Sequence, residues 1–544
     1  MTEDSTHSII HSARRFFGGT MLSRCSGLMR DVAMAFAFGT QESIAAFLVA
    51  FRFSHLLRRL FGEGALQTAF IPHFEALRIL DPQRACLFFK DLFATLVIGL
   101  SGIIFISMVA IGGALLWLDL SAGNFEIFLL TLLLMPSLLF ICLFGVNASL
   151  LQCEKRFFTS GVAPVAFNFV WTIGVIALWK LSSSDAMLWL AGWVIIACLC
   201  QWLITLPQVI SILRQYGTRP FSKPMHPFSK DVRNLAKPLF LGIVGVAAVQ
   251  VNSALDALFA RYASGEGPAY LWYALRIQQL PLALFGIAIA GALLPPLTRS
   301  LKTHDLATYQ HFLGFALRRS IAFAFPITIA IFVMGDSAIQ LIYGRGDFNT
   351  HSVIGTTQCL WGYGIGLIPM TLVLILAPAF YATGDYRTPA MASVFSVILN
   401  VGFNFWFVIV KGYGTQSVAW STSLCALFNV FWLALKLSHS NGIYAGVLWK
   451  SVAKVVFASS VAAFAVVVID FAWDYGGGIG STAWQIWNGY DFYQTSQGFF
   501  NQLLRFSVQF GVFVVTVAGV ASVINATDLL YLAGRDRSLS QANR

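Results

Sequence analysis

Residues 86–117 read CLFFKDLFATLVIGLSGIIFISMVAIGGALLW, with Lys90 and Asp91 near the start as the only charges. At about 1.5 Å of rise per residue, such a run is long enough to cross a hydrocarbon layer about 30 Å thick. The surrounding sequence repeats the pattern. Apolar helical stretches occur near 13–38, 43–76, 86–117, 125–150, 158–181, 186–213, 235–263, 268–298, 312–343, 352–382, 389–410, 415–437, 447–472 and 501–532, and they are numbered below as spans 1 to 14. Of 544 residues, 57% are hydrophobic and 11% charged, and the mean hydropathy is +0.73. An average soluble domain carries roughly a quarter charged residues, so this composition excludes a soluble enzyme, a disordered chain, a fibre and, despite a net charge of +11, a nucleic-acid binder. The expected fold is an all-α polytopic membrane protein of about 14 transmembrane helices.

Lys and Arg bias sets the expected orientation, because positive residues near span ends stay cytoplasmic. The termini and even-numbered loops hold 24 of them, against Lys180, Arg261, Arg345 and Lys411 in the odd-numbered loops, which places both termini in the cytoplasm. The N-terminal MTEDSTHSIIHSARRFFGG lacks the apolar core of a cleaved signal, so span 1 is expected to be retained. The eight cysteines form no CxxC pair, have no His at ligand spacing and read as small packing residues; no metal centre is expected.

A displacement of 224 residues superposes Ala50, Arg52, Leu56, Leu60, Phe61, Gly62, Pro72 and Leu77 on Ala274, Arg276, Leu280, Leu284, Phe285, Gly286, Pro296 and Leu301. Six spans separate the copies. Both therefore cross the membrane in the same sense, as in transporters whose two halves are related by an axis along the membrane normal. The expected organisation is an N-terminal lobe over 1–213 (spans 1–6), a polar cytoplasmic linker over 214–237, a C-terminal lobe over 238–440 (spans 7–12) and an extra helix pair with the C-terminal tail over 441–544.

The seven basic residues not assigned to a terminus or loop in this count lie within or at the edges of spans: Arg24, Arg30, Arg52, Arg58, Arg59, Arg276 and Arg505. An arginine in hydrocarbon costs several kcal/mol unless it meets a partner or a wet cavity. Arg30 has Asp31 beside it, and Arg58, Arg59 and Glu63 can snorkel to the cytoplasmic interface. Arg24 and Arg276 have no acid within a helical turn and are expected to line a cavity. Arginines in excess of acids suit an anionic cargo, since guanidinium pairs bidentately with phosphate oxygens and keeps its charge when desolvated. A second constellation is a candidate ion site of Asp256 in span 7 with Asn400 and Asn404 in span 11. The favoured alternative leaves Asp256 solvated near the outer end of its helix and the asparagines bonded to neighbouring helices. Trp473, Trp484, Trp487, Tyr490 and Tyr493 are expected to anchor the outer interface, and DYGGGIG (474–480), which lacks the Lys and Ser/Thr of a phosphate loop, is expected to be a flexible turn.

The runs SRCSGLMRD (23–31), FLVAFRFSHLLRRLFGEGALQTAFIP (47–72) and YALRIQQLPLALFGIAIAGALLPPLTRS (273–300) resemble the MurJ (MviN) family of lipid II flippases, within the multidrug/oligosaccharidyl-lipid/polysaccharide exporter superfamily. The resemblance covers essentially the whole chain. It implies alternating-access export of undecaprenyl-diphosphate-linked disaccharide-pentapeptide across the bacterial inner membrane, no enzymatic chemistry and no cofactor, with coupling to the membrane potential or a Na+ or H+ gradient. It implies lipid II and membrane lipids as partners, together with the cell-wall synthesis machinery. It further implies that Arg24, Arg30, Arg58 and Arg276 are required for substrate binding, with Arg52, Arg59, Glu63 and Gln279 as additional candidates, and that spans 13 and 14 form a groove for the polyprenyl tail. The sequence departs from the family at Ala45, Ala269 and Gln279, where an Asp, a Ser and a Glu are frequent, and Glu42 is a candidate substitute for the missing Asp.

Competing readings are a multidrug/cation antiporter or a polyprenyl-linked polysaccharide flippase of the same superfamily. A drug-cation exporter would want acids or aromatics where this chain has arginines. A polyprenyl-phosphate membrane enzyme would need clustered Asp or His in its spans, and the sequence has no DxxD and a single HxxxH, His7 and His11, which precedes the first apolar stretch.

Overall fold

The computed structural model describes residues 6–61, 65–216, 225–282, 293, 297–441, 445–475 and 498–532, and its described residues form helices with no strand. Nine described helices are long and apolar enough to cross a membrane. A tenth span comprises α5 (Ala122–Leu134) and α6 (Ser137–Cys153), bent by 46° where Pro136 interrupts the backbone ladder. The four other stretches read as spans from the sequence fall on α1 (Thr6–Phe38), α2 (Glu42–Phe61) with α3 (Ala65–Leu80), α9 (Lys230–Ala263) and, in its described part, α10 (Gly267–Pro281). These are the helices that carry Arg24, Arg30, Arg52, Asp256 and Arg276.

Helix starts follow local chemistry. In α4 (Pro82–Trp117), Asp81 accepts from the Gln83 amide and Pro82 takes a first-turn position where its missing N–H costs nothing. Asp305 caps α11 (Leu306–Tyr343) through the Thr308 amide, and Asn349 caps α12 (Thr350–Ala382) through the Ser352 amide. Span 11 is α13 (Arg387–Asn404) continued by a π-helical turn, Phe405–Val410.

The chain divides into two compact units, Met1–Arg261 and Tyr262–Arg544. The first holds α1 against α7 (Phe157–Leu178), α2 against α5, and α6 and α7 against α8 (Ser183–Gln215). In the second, α10 packs on α12, and both α12 and α13 pack on α14 (Gln416–Asn441). The pairs of spans 2 and 4, 4 and 6, and 5 and 6 thus recur as 8 and 10, 10 and 12, and 11 and 12, the order a duplication produces. Close approach of α12 to α14 depends on Gly362 and Gly366, where a Cβ would stand 2.8 Å from the Ala419 methyl and 2.5 Å from Ser423 Oγ. Small residues at this spacing let helices pack where lipid removes any hydrophobic drive between them.

The 214–237 linker is partly helical, since α8 runs to Gln215 and α9 begins at Lys230; residues 217–224 lie outside the described residues. Its later part is tied to α4: Asp91 accepts from the His226 amide, Thr95 accepts from the Phe228 amide, and Arg84 pairs with Asp231 at 2.9 Å. The compact units divide one span later than this linker, and α9 belongs to the first.

Spans 13 and 14 are α15 (Ala445–Tyr475) and α16 (Phe499–Val523), followed by the short α17 (Thr527–Leu532). Both long helices pack on α11 through Ala322, Val455, Ala458 and Ala521 at one level and Met334, Ala462, Val466 and Phe513 at another. The Cys side chains are mostly buried as expected, Cys25 being exposed.

Candidate functional site

On α1, Arg24 and Arg30 are six residues apart, which at 3.6 residues per turn points them about 120° away from each other around the helix. Arg24 is exposed. Arg30 is 4% exposed: its Nε and Nη2 donate to Asp31 Oδ1 at 3.0 and 2.7 Å, its Nη1 donates to Asn168 Oδ1 at 3.1 Å, and its guanidinium lies 4.5 Å from the Trp171 ring. Arg52, half-buried on α2, donates from Nη1 to the Ser253 carbonyl at 3.1 Å and so joins α2 to α9. The side chains of Arg58 and Arg59, and Glu63 altogether, lie outside the described residues.

In the second unit, Arg276 is partly exposed on α10, with its guanidinium 4.7 Å from the Trp272 ring one turn earlier. A desolvated cation gains from such an aromatic face. Gln279 is partly exposed as well, whereas its neighbour Gln278 is buried and donates to the Tyr363 carbonyl at 3.3 Å and to Met370 Sδ at 3.2 Å. Ala45 and Ala269 are fully buried. Methyl groups there avoid the cost of desolvating a carboxylate or hydroxyl. Glu42, 68% exposed, faces Arg261 instead: Nη2 lies 3.4 Å from Oε2, and Nη1 donates to the Glu42 carbonyl at 3.3 Å.

Asp256 is 6% exposed rather than solvated, and the Asn252 side chain lies 3.5 Å from its Oδ2. Asn404 donates to Asn400 Oδ1 at 2.8 Å, and Asn400 donates to Thr422 Oγ1 at 3.4 Å, which bonds α13 to α14 as the alternative reading expects. Asp256 belongs to the first compact unit and the asparagines to the second. Among the described residues no cluster of three or more His, Cys, Asp or Glu side chains could hold a metal. Of the aromatic anchors, Trp473 lies in α15; Trp484, Trp487, Tyr490, Tyr493 and most of DYGGGIG lie outside the described residues.

Three polar clusters escape sequence reading because their partners are distant in the chain. Asn168 on α7 holds Arg30. On α15 and α16, Asp470 Oδ1 accepts from Arg505 Nη2 and Nε at 2.7 and 3.1 Å and from Gln509 Nε2 at 2.7 Å. At the ends of α3, α6 and α8, Arg78 bridges Glu154 at 2.8 Å and Glu75 at 2.6 Å, and Tyr216 donates to Glu154. Burial alone would lower the Arg78 pKa; the hydrogen bond to Glu154 and the charges of both glutamates outweigh it and raise the value. Burial and the hydrogen bond to Glu154 raise that of Tyr216. The only sequence signal for these clusters is a polar residue inside an apolar run, as Asn168 is in AFNFVW (166–171).

Nine described helices of membrane-crossing length, a repeated packing order and arginines on spans 1, 2 and 8 define a polytopic membrane transporter. The family profile described as Lipid II flippase MurJ matches residues 34–486, so the chain belongs to the lipid II flippase MurJ family, a transporter rather than an enzyme family. The probable lipid II flippase MurJ of Chlamydia muridarum is 31% identical over 86% of this chain and 87% of its own length. The lipid II flippase MurJ of Burkholderia cenocepacia is 28% identical over 78% and 83%. Among solved structures, a lipid II flippase MurJ in an inward closed conformation superposes with a TM-score of 0.73 at 20% identity, covering 94% of this chain and 99% of that one. An inward-facing multidrug MATE transporter of the MOP superfamily gives 0.60 at 15% identity, over 77% and 95%. Both structural likenesses concern the fold.

Proposed function

We propose that this chain moves lipid II from the cytoplasmic to the periplasmic leaflet of the inner membrane by alternating access, with both termini in the cytoplasm. The observation that carries the reading is family membership together with an intact basic set on spans 1, 2 and 8. Arg24 and Arg276 are the diphosphate contacts: each keeps exposed surface, and the frequent acid three residues after Arg276 is here Gln279. An arginine-rich, acid-poor surface repels a drug cation and attracts a diphosphate, and so disfavours a cation antiporter. Spans 13 and 14 hold the polyprenyl tail, because Phe464, Val467, Phe471, Val514 and Val515 remain exposed on faces turned away from the α11 packing. Transport draws on the membrane potential or an ion gradient, and the cell-wall synthesis machinery receives the product.

The test is relocation of labelled lipid II across reconstituted vesicles without change in its mass, alongside rescue of a conditional lipid II flippase mutant. Arg24→Ala and Arg276→Ala are expected to abolish relocation while leaving folded protein in the membrane. Arg→Lys restores it only in part, since a point charge lacks the bidentate geometry. Wild-type activity in either Ala variant would remove that arginine from the site.

A further inference from the structure

Of the four basic residues in the odd-numbered loops, three have an evident place. Lys180 and Lys411 are exposed beside Trp179 and Trp406, and Arg261 faces Glu42. Arg345 differs: it is partly buried, and among the described residues no carboxylate pairs with it, not even Asp347 two residues on. A built turn holds it there. Gly344 ends α11 by donating to the Gln340 carbonyl at 3.0 Å, and the Phe348 amide closes the following turn on the Arg345 carbonyl at 3.2 Å. Gly346 stands second in that turn with φ +63°, a conformation that strains any side chain. Phe348 fixes the far end by burial against the Tyr273 and Tyr343 rings, at 5.4 and 5.7 Å. So presented, the Arg345 side chain reaches the start of α16: its guanidinium lies 4.2 Å from the Phe499 ring, and Nη2 donates to the Leu341 carbonyl. That uses one of five N–H donors. Nε is buried with no hydrogen-bond partner, and Nη1 bonds to nothing among the described residues. Burial lowers the Arg345 pKa with no neighbouring charge to oppose it, the reverse of Arg78.

We propose that Arg345 is a subsite for a lipid-borne phosphate in the outer leaflet, backed by the Phe499 ring and continued by an apolar bed on span 14. Removing a cation from water without an anion is costly, and a phosphate oxygen supplies both the charge and the missing acceptor. The bed is Phe499, Leu503, Phe510 and Val514, all exposed and recurring at spacings of four, seven and four, which places them in one stripe along α16. A lipid chain laid on this stripe brings its head to the first residue of the helix, where Nη1 and the second Nη2 hydrogen can engage phosphate oxygens. Both parts of the ligand are needed, since a free anion gains nothing from the stripe and an uncharged lipid gains nothing from the guanidinium. The leaflet rests on the proposed orientation. A polyprenyl diphosphate that has just crossed, which rests on the proposed function, and a resident anionic glycerophospholipid offer the same chemistry here.

Full-length wild-type protein in maltoside micelles, which hold no phosphate, is treated with phenylglyoxal, and modification of Arg345 is followed by peptide mass spectrometry. Undecaprenyl diphosphate, phosphatidylglycerol, dioleoylglycerol or inorganic phosphate is added in turn. A charge-assisted contact should slow modification about tenfold, and either phosphate-bearing lipid doing so supports the subsite. The lipid with the lower half-protecting concentration identifies the source: the diphosphate marks an exit station for the cargo, and phosphatidylglycerol a resident lipid. Equal protection by dioleoylglycerol or by inorganic phosphate, or protection by neither phosphate lipid, overturns the proposal. Asp474 and Asp491 precede α16, and their side chains lie outside the described residues. If Asp474→Asn or Asp491→Asn raised the lipid-free rate about tenfold, the size of one lost charged contact, the partner of Arg345 would be its own chain and the proposal would fall. Arg345→Gln should raise the half-saturating concentration of the favoured lipid, read by native mass spectrometry, by a similar factor, and Arg345→Lys by less; an unchanged value in the Gln variant overturns the subsite. Labelling of a cysteine at Asp347 from the inside only would overturn the leaflet. Failure of the functional reading looks different: wild-type protein that moves no lipid II while lipid phosphate still protects Arg345, which leaves the subsite standing.

Discussion

Asp470→Leu tests whether the helix pair of spans 13 and 14 is held by its internal ion pair. Asp470 Oδ1 accepts two hydrogen bonds from Arg505 and one from Gln509, and the side chains of Asp470 and Arg505 are 13% and 12% exposed. Removing the carboxylate strands a nearly buried guanidinium and a buried amide. Breaking a buried pair from one side costs about 3–5 kcal/mol, whereas hydrogen bonds within membranes average about 0.6 and reach about 1.7 kcal/mol each. Three bonds lost at a partly exposed site therefore give about 3 kcal/mol. That is roughly a hundredfold shift in the local opening equilibrium of α15 from α16. A cysteine at Ala462, fully buried where α15 meets α11, reports the opening through its labelling rate read peptide by peptide. The rate should rise about a hundredfold in Asp470→Leu and much less in Asp470→Asn, which keeps an acceptor. Replacing Arg505 by Met and Gln509 by Leu in the same chain should return it most of the way, since apolar residues of similar volume leave no stranded charge. A change under about threefold in the single variant, or a triple variant as open as the single, would refute the reasoning.

The charge bias predicts that external thiol reagents reach cysteines placed at Asp119, Gly265 and Gly478 but not at Gln83, Ser222 or Gln541; external labelling at Ser222 would overturn the orientation. Asp119 is the probe for this loop, since a Cβ at Gly123 would stand 2.5 Å from the Arg261 guanidinium. Gly519 has open space around its Cβ position, so Gly519→Phe fills the exposed face of α16 without disturbing packing, and relocation of long-chain lipid II should fall more than that of a short-prenyl analogue. Equal losses at normal protein levels would remove tail binding from this face. In the loop before α13, hydrogen bonds from the Thr388 hydroxyl and amide hold the Asp385 pKa below its ordinary value. A depressed carboxylate stabilises the fold above its unfolded pKa and loses that contribution as pH falls through the folded one. Wild type and Asp385→Ala should accordingly differ in thermal stability at pH 7 and converge as acidification protonates the carboxylate; a constant gap would rule out this origin.

Sequence alone determined the helical membrane fold and the family, and set the expected spans and duplication, because each is written in features that need no partner. A span is a length of apolar residues, a duplication is a fixed displacement, and Arg-Arg-x-Phe-x-Glu-Gly-Ala is a local string. The basic set was legible for the same reason, since an arginine in an apolar run stands out wherever its side chain turns. What those arginines do was decided only by tertiary structure. Along the chain only the neighbouring Asp31 distinguishes Arg30 from Arg24, and it takes Asn168 and Trp171, some 140 residues away, to bury Arg30 while Arg24 stays exposed. Likewise, Asp256 beside an apolar helix end reads as solvated until packing encloses it, and Arg505 has no acid in its own helix until α15 brings Asp470 to it. Helical periodicity fixes the face on which a side chain lies, but whether that face meets lipid, water or another helix depends on contacts between spans far apart in sequence. In a chain whose helices are apolar on most sides, amphipathic pattern cannot supply that information.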